Sequence, residues 1–418
     1  MLADLERDGP TFRHAIAELR RLHHQVEQDP DVQARYQEWQ SRLSSVYGQP
    51  VGDPELFALH TYISILARLI ASRALHPNAI PLHGEDLVKL INGDYFRERD
   101  IHNFAEEDFF AWTLAPEAQD DSIKLAAMLS EALDSFDPAR DSYRLLKGLL
   151  QELTEPRPRQ NLGQPQTPRQ LPEHVLQQLQ DNPQLSVLDP ACGPGTFLYT
   201  AIRLVREGMA RRGEDDFSAL LHILSNVIGM ELDPAALAVA RTGYLLALGD
   251  LISGSHPTVL VPLYLASYND LPETAASESR PGREEPVYVV ATFLPGVAFE
   301  LPYSVVADPA QLDWLFHRMG QYLHAAHLRA GMEGESEATE GVIGALYSYL
   351  TSPKRAGLRK LPPLSSFATG VMCDTARTLI KLTLEGNGNI WLHILKNSPA
   401  PVFLSRRVFD LVVGRETS

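Results

Sequence analysis

The chain has 418 residues, of which 44% are hydrophobic and 22% charged, and its formal net charge is −16. This length allows two or more domains with a large core, and the composition is that of an ordinary globular protein. The charged N-terminus does not resemble a signal peptide, and we expect no apolar run near the roughly 20 residues of a membrane span. The negative net charge argues against strong nucleic-acid binding by this chain alone.

The sequence contains two cysteines, Cys192 and Cys373, without Cys-x-x-Cys spacing. This predicts a reduced, cytoplasmic protein with no metal site of the zinc type. Basic residues cluster in three places, each of which we interpret as solvated surface: Arg203, Arg206, Arg211 and Arg212; Lys354, Arg355, Arg359 and Lys360; and Arg406 with Arg407.

Residues 1 to about 150 are predicted to be almost wholly helical. Residues 60–75 are apolar on most faces, which indicates a central buried helix. A short helix over 86–92 is expected to end at Gly93. Acids at Glu106 and beyond predict the first turn of another helix. A metal-dependent nuclease would also need a nearby lysine, which is lacking, so we interpret these acids as structural.

The strongest candidate boundary is the proline-rich, polar run over 154–168, which follows a predicted helix at 141–153. Thr167 is expected to cap the next helix, with Pro168 in its first turn and its end near residue 179. We therefore place one domain before this run and another after it.

Residues 186–198 read Ser-Val-Leu-Asp-Pro-Ala-Cys-Gly-Pro-Gly-Thr-Phe-Leu. They predict a short buried strand that ends at Asp189, a turn at Gly193 and Gly195, and a helix from Thr196 to about Glu207. A strand, a glycine turn and a helix N-terminus form a nucleotide-type binding corner. The spacing is neither the dinucleotide fingerprint nor a P-loop.

Further strands are predicted over 227–234 and 263–266, with a strong helix over 235–249 between them. Such alternation implies right-handed crossovers and a mainly parallel sheet. Glu231, at the end of the second strand, is placed to accept the hydroxyls of a ribose. Asp189 would accept from an ammonium group or fix the glycine turn, and Asp233 would cap the following helix.

From Pro272 to about Ser405 the alternation is lost, and we interpret this region as a large, partly helical insertion. It contains a strand-like run over 287–294 and helical runs over 311–329, 340–349 and 368–384. The chain closes with an apolar strand at 408–414 that carries one acid, Asp410.

The run Asp189-Pro-Ala-Cys-Gly-Pro-Gly-Thr-Phe resembles the S-adenosylmethionine motif of DNA adenine-N6 methyltransferases, Asp-Pro-Ala-Cys-Gly-Ser-Gly-Thr-Phe. Residues 227–234 resemble their ribose-binding strand, and 161–168 resemble the segment that precedes the first strand. Residues 388–397 and Phe409-Asp-Leu-Val-Val-Gly look like the lead-in to the catalytic tetrapeptide Asn-Pro-Pro-aromatic. The helical N-terminal part is similar to that of large bacterial restriction and phage-defence methyltransferases.

The resemblance implies an α/β fold, a Rossmann-like class I methyltransferase sheet with an all-helical N-terminal domain and a mixed insertion. It places the N-terminal domain at 1–155 and the methyltransferase domain at 156–418, with the insertion at 272–405. The implied cofactor is S-adenosyl-L-methionine, and the implied cofactor-binding residues are Thr167, Asp189, Ala191, Cys192, Gly193, Gly195, Thr196, Glu231, Leu232 and Ser267.

Three departures from the family pattern bear on function. The sequence contains no Asn-Pro-Pro, so it offers no catalytic residues to hold the flipped adenine. Pro165 and Gln166 stand where the family has two tyrosines. Ser267 stands where the family often has an acid for the adenine amine, with Asp270 as a possible substitute.

These features lead to three hypotheses. The first is the cofactor half of a DNA adenine-N6 methyltransferase whose C-terminal region is missing because of a truncation, a frameshift or a gene split. It would contact double-stranded DNA only together with that missing region. The second is a non-catalytic subunit or scaffold that a partner chain carrying the catalytic motif completes. The third, which the motifs favour less, is a methyltransferase for small molecules or proteins. None of the three involves a membrane.

Overall fold

The computed structural model describes residues 2–7, 9–76, 81–133, 171–266, 285–356 and 359–414. The chain divides into two compact units, which we call unit 1 (Met1–Gln28, Arg42–Leu265 and Phe409–Ser418) and unit 2 (Asp29–Ser41 and Ala266–Val408). The helix predicted over 141–153 and the boundary predicted over 154–168 lie outside the described residues. The domain boundaries of the sequence analysis stay predictions.

The N-terminal region is built mainly from helices α1 to α7: Leu2–Leu5, Pro10–Val26, Pro30–Tyr47, Pro54–Leu75, Glu85–Asn92, Asp94–Arg97 and Pro116–Ala132. Helix α4 begins after Asp53, whose side chain accepts a hydrogen bond from the Leu56 amide at 2.8 Å. It is buried over most of its length, as its apolar faces predict. Helix α5 ends at Gly93, which adopts a left-handed φ of 93° as expected for a helix C-terminus.

Strands β1 to β10 span Ile101–His102, Val187–Asp189, Val227–Glu231, Val259–Leu260, Leu263–Leu265, Val287–Ala291, Ala298–Pro302, Lys354–Ala356, Arg359–Leu361 and Leu411–Val412. Helices α8 to α12 of unit 1 span Leu171–Val175, Gln178–Asp181, Thr196–Arg211, Asp216–Asn226 and Pro234–Leu248. Helices α13 to α18 of unit 2 span Tyr303–Val306, Pro309–Glu333, Glu335–Thr351, Ser366–Leu384, Asn389–Asn397 and Ala400–Leu404.

The prediction of an almost wholly helical N-terminal region is wrong at β1, which pairs in parallel with β4. A two-residue strand has no period, so its sequence could not reveal it. The helix predicted from Glu106 is also wrong in type and start. A 3-10 helix at Phe109–Leu114 takes its place, and Asp108 caps it by accepting from the Phe110 amide at 2.9 Å.

The centre of unit 1 is a parallel four-stranded sheet with the order β10-β2-β3-β5. Its members follow the chain in the order β2, β3, β5, β10, so the strand order reverses between β2 and β10. In open parallel sheets, ligands bind beyond the carboxyl ends of the strands at such a reversal. The fold therefore places the ends of β2, β3 and β10 around one candidate site.

Helix α12 packs on this sheet and on α4 and is buried for most of its length. Among the described residues, two helical segments, Pro54–Leu75 and Pro234–Ile252, are long and apolar enough to cross a membrane. The expectation that no run approaches that length is therefore wrong. However, 83% and 78% of their apolar windows are buried inside the protein, as in core helices.

Strand β10 is held at its start by one acid. Asp410 Oδ2 accepts from both the amide and the hydroxyl of Ser186, at 2.8 and 2.7 Å. Val413 donates to Leu188 O at 2.8 Å at the other end of the pair. The side chain of Val412 is 65% exposed, whereas Val413 is buried.

Unit 2 contains the antiparallel pair β6–β7 and the helices α13 to α18. Helix α14 packs lengthwise on α15, and Trp391 of α17 is fully buried against Phe293 and Phe299. Lys396 forms a buried ion pair with Asp313. The helices predicted over 311–329, 340–349 and 368–384 are all present, each slightly longer than its apolar period indicated.

Candidate ligand site at the carboxyl ends of the central strands

Two glycines shape the loop that joins β2 to α10. Gly193 and Gly195 have φ values of 53° and 84°, in the left-handed region that favours glycine. A Cβ at Gly195 would lie 3.1 Å from Ala240 on α12, so this glycine lets the loop approach the helix. Nothing lies within 4 Å of a Cβ at Gly193. The loop is thus packed at Gly195 and open at Gly193.

Cys192 anchors the loop to the sheet. Its amide donates to Met230 O at 2.9 Å, and its side chain is buried. A Cβ at Gly229 would lie 2.6 Å from Leu198 and 3.4 Å from Cys192 Sγ, so the glycine in β3 makes room for both. Burial raises the pKa of the Cys192 thiol well above its usual value, which keeps the thiol neutral.

Asp189, at the end of β2, has a buried carboxyl group that is only partly satisfied. Its Oδ1 accepts from the Ala191 amide at 3.3 Å. Among the residues that the structure describes, Oδ2 has no hydrogen-bond partner. Burial raises the pKa of Asp189 to about 7, and the nearby charge of Glu231 adds to this shift. A cationic group would supply the missing partner and favour the ionised form.

Glu231, at the end of β3, binds the glycine loop directly. Its Oε2 accepts from the Gly193 amide at 2.5 Å, and its Oε1 accepts from the amides of Leu232 and Asp233 at 2.9 and 3.0 Å. Burial raises the pKa of Glu231, while the Asp233 amide opposes the shift. A carboxylate has about four acceptor positions. Three are taken, so one remains on Oε2 for a ligand hydroxyl.

The N-terminus of α10 also faces this loop. The helix begins at Thr196 after Gly195, and no side chain caps it. Uncapped amides and the helix dipole make such an end favourable for a negatively charged group. The site therefore contains two acids that can accept hydrogen bonds from a cationic group or a hydroxyl, and a helix N-terminus that can bind a negatively charged group.

The structure brings most of the predicted site residues together. Asp189, Ala191, Cys192, Gly193, Gly195 and Thr196 form one loop, and the Gly193–Glu231 hydrogen bond joins it to Glu231 and Leu232. Asp233 caps α12 as predicted, accepting from the Ala235 and Ala236 amides. Thr167 and Ser267 lie outside the described residues, as do Pro165, Gln166 and Asp270. Cofactor contact stays a prediction for all of them.

Three residues that shape the site were missed by the sequence reasoning: Gly229, Ala240 and Gly414. A Cβ at Gly414 would lie 3.3 Å from Asp189 Oδ1, so the end of β10 lies beside this acid. Gly229 carried a usable signal, because glycine inside a strand often marks a close approach. Ala240 carried none, since alanine is common in any buried helix.

The arginine cluster on α10 engages the protein itself. Arg203 pairs with Glu173 and Glu207, and Arg206 pairs with Asp250. Arg211 and Arg212 donate to the carbonyls of Gln180 and Asp181. These contacts agree with the interpretation as surface. Within the described ranges, no group of three or more His, Cys, Asp or Glu residues is placed to hold a metal ion.

The glycine loop and the acids Asp189 and Glu231 lie at the reversal of strand order in a parallel sheet, which is where open α/β folds often bind their ligands. Residues 145–248 match the family model of the N-6 DNA methylases. Over that segment the match confirms the family resemblance seen in the sequence.

Among solved structures, the chain is similar to one in the cryo-electron microscopy structure of the DrdV–DNA complex. The sequence identity is 16% and the TM-score 0.40, over 60% of this chain and 24% of that one. The chain thus spans about a quarter of the length of that relative. No curated protein matches the sequence.

Proposed function

We propose that this chain is the S-adenosylmethionine-binding part of a DNA adenine-N6 methyltransferase of a restriction-modification or phage-defence system. The observation that carries the proposal is the buried Oδ2 of Asp189, which has no partner among the described residues and lies beside an open glycine loop. The family match over 145–248 supports the class of reaction.

The sheet order supports a Rossmann-like class I methyltransferase fold. The first two strands of the sheet carry the glycine loop and the second acid, and the fourth strand, β10, lies on the far side of the first. This order is consistent with the doubly wound arrangement, in which a nucleoside ligand binds across the reversal point. The site residues lie at that point.

The residues present fit the cofactor. Asp189 Oδ2 would accept from the ammonium group of its methionine part, and the free position on Glu231 Oε2 would accept one ribose hydroxyl. The N-terminus of α10 would favour the methionine carboxylate. When bound, the cofactor supplies an electrophilic methyl group. The second ribose hydroxyl needs another acceptor, or the Gly193 amide must leave Glu231.

Binding can be tested by calorimetry of S-adenosylmethionine with the wild-type chain. Asp189→Asn and Glu231→Gln are each expected to weaken binding by about tenfold, the equivalent of about 1.4 kcal/mol. Asp410→Asn is the matched control, because it changes the same group at the opposite end of the sheet. A folded wild-type chain that shows no heat of binding would contradict the proposal.

A second candidate function is a non-catalytic cofactor-binding subunit completed by a partner chain with the Asn-Pro-Pro-aromatic motif. The exposed side chain of Val412, 65% accessible on the edge strand β10, favours it. Such a partner would add the adenine-binding residues and contact double-stranded DNA. The test is reconstitution: methyl transfer to DNA should require both chains, and transfer by the partner alone would exclude this role.

A further inference from the structure

A buried polar network joins the N-terminal region to the edge of the central sheet. Its centre is Asn103, which follows β1 and adopts a φ of 53°. Asn103 Nδ2 donates to Val261 O at 2.8 Å and to Leu263 O at 3.0 Å. Both carbonyls belong to the segment that forms the edge strand β5. The side chain of Asn103 thus occupies hydrogen-bonding positions that a fifth strand would otherwise fill.

Arg241 on α12 adds further hydrogen bonds to the same network. Its Nη2 donates to Asn103 Oδ1 at 2.8 Å and to Leu263 O at 2.9 Å, and its Nε donates to Leu263 O at 3.2 Å. Leu263 O therefore accepts from two side chains. Arg241 is the single charged residue of α12 and is buried. A buried guanidinium is stable only when its donors are satisfied, so this contact strongly fixes its partners.

The same segment is held by backbone bonds. Val259 donates to Asp100 O at 2.8 Å, and Val261 donates to His102 O at 3.0 Å. Asp100 and Asn103 flank β1 and are the two non-glycine residues with positive φ in the described part of the chain. Aspartate and asparagine tolerate this conformation better than most residues. The chain therefore turns sharply on each side of β1 to reach the sheet.

Two neighbouring residues of α12 connect this hydrogen-bond network to the candidate site. Ala240 lies against Gly195 of the glycine loop, and Arg241 holds Leu263. In the sheet register, Leu265 pairs with Glu231, only two residues beyond Leu263. A shift of β5 would thus displace the strand end that lies beside Glu231.

We propose that Asn103 and Arg241 are positioning residues that set the carboxyl end of β5, and with it the nucleoside side of the cofactor site. The inference rests on the proposed function, because it names residues outside the binding loop that tune the same site. It gives the N-terminal region a role in ligand affinity and not in folding alone.

The test compares S-adenosylmethionine with 5′-methylthioadenosine, which keeps the nucleoside and lacks the amino-acid part. Asn103→Gly permits the backbone conformation and removes the side chain. It is expected to weaken both ligands by about tenfold, since it deletes the three buried hydrogen bonds that hold the β5 segment to Asn103 and Arg241. Asp189→Asn should weaken S-adenosylmethionine but leave 5′-methylthioadenosine within about twofold, because only the first ligand carries an ammonium group.

Asp100→Gly is the matched control, because it makes the same backbone change at the other end of β1 without touching Leu263. It should leave both affinities within about twofold. If Asn103→Gly does not fold, Asn103→Asp serves instead, since it keeps the acceptor for Arg241 and loses the donors to β5. A folded variant with a lower melting temperature and wild-type affinities would show a purely structural role and overturn the inference. A wild-type chain that binds neither ligand would overturn the proposed function itself.

Discussion

Asp189 is the residue on which the chemistry of the site depends most. The residue is 1% exposed, and one of its carboxyl oxygens lacks a partner among the described residues. Because the carboxyl group is buried without a full set of hydrogen-bond partners, its protonated, neutral form is favoured. This raises the pKa of Asp189 to about 7. A cationic ligand would reverse the balance, because it pairs with the ionised form only. Binding and ionisation of Asp189 are therefore linked.

This linkage predicts that affinity for S-adenosylmethionine rises with pH up to about pH 7, the range in which the ligand's α-ammonium group keeps its proton. With a pKa of about 7, the ionised fraction of Asp189 increases from about one tenth at pH 6 to about one half at pH 7. The dissociation constant should fall by up to about fivefold over this range. Calorimetry at about pH 6, 6.5 and 7 measures it. Asp189→Asn should remove the dependence, and an equal slope in both proteins would rule out Asp189 as its source.

The same pKa predicts a pH-dependent stability without ligand. Because the folded pKa is raised from 3.8 to about 7, the folded state holds its proton more tightly than the unfolded state. The stabilising contribution is complete below pH 3.8 and is lost as the pH rises through 7. Asp189→Asn should therefore gain stability over the wild type, by about 1 kcal/mol more at pH 8 than at pH 6. Denaturant unfolding at both pH values checks this, and an unchanged difference would contradict it.

At the scale of elements, one part of the glycine loop packs tightly against the protein and another part is open to a ligand. Gly195 and Gly229 permit close contacts with α12, Leu198 and Cys192. Gly193 leaves open space and donates its amide to Glu231. Packing thus fixes the ends of the loop, whereas its middle remains available to a ligand.

This division predicts different effects for two alanine substitutions. Gly193→Ala should cost about 1 kcal/mol, because only the left-handed backbone opposes it. Gly195→Ala should cost more, about 2 kcal/mol or above, because the new methyl group also meets Ala240. Denaturant unfolding of the two variants measures the difference. Equal losses would mean that α12 yields to the added methyl group.

The edge strand β10 predicts a second contrast. Val412 is 65% exposed and Val413 is 7% exposed. Val412→Lys should reduce aggregation and leave the melting temperature nearly unchanged, because a charge on an exposed edge discourages pairing between chains. Val413→Lys should destabilise the fold, since it buries an unpaired charge. Light scattering and thermal unfolding report the two effects, and equal behaviour of both variants would argue against an open edge.

Sequence reasoning reached the elements with strong patterns and missed those defined by single contacts. The strands before Asp189 and Glu231 were found because apolar runs that end in acids have a recognisable form. Asn103 could not be assigned a role, because its partners lie about 160 residues further along the chain. Arg241 was a visible exception in an apolar helix, which signals a buried polar partner but does not identify it.

At the scale of unit 1, the two edges of the central sheet differ. Asn103, Arg241 and the β1–β4 pair close the β5 edge. At the other edge, β10 pairs with β2 and exposes Val412. These contacts join β1 and the residues around it to the sheet within unit 1. The exposed edge strand lies next to the reversal of strand order.

The sequence content of the molecule predicts cofactor binding without methyl transfer. The 418 residues contain the glycine loop and Glu231 but no Asn-Pro-Pro tetrapeptide, and their net charge is −16. Under the proposed function these residues would lack the tetrapeptide that holds a flipped adenine in line with the methyl group, and the acidic charge would disfavour DNA binding. Incubation with labelled S-adenosylmethionine and adenine-containing duplex DNA should leave the DNA unlabelled, while calorimetry under the same conditions detects binding. Labelled N6-methyladenine would refute the prediction and identify a different catalytic group within these residues.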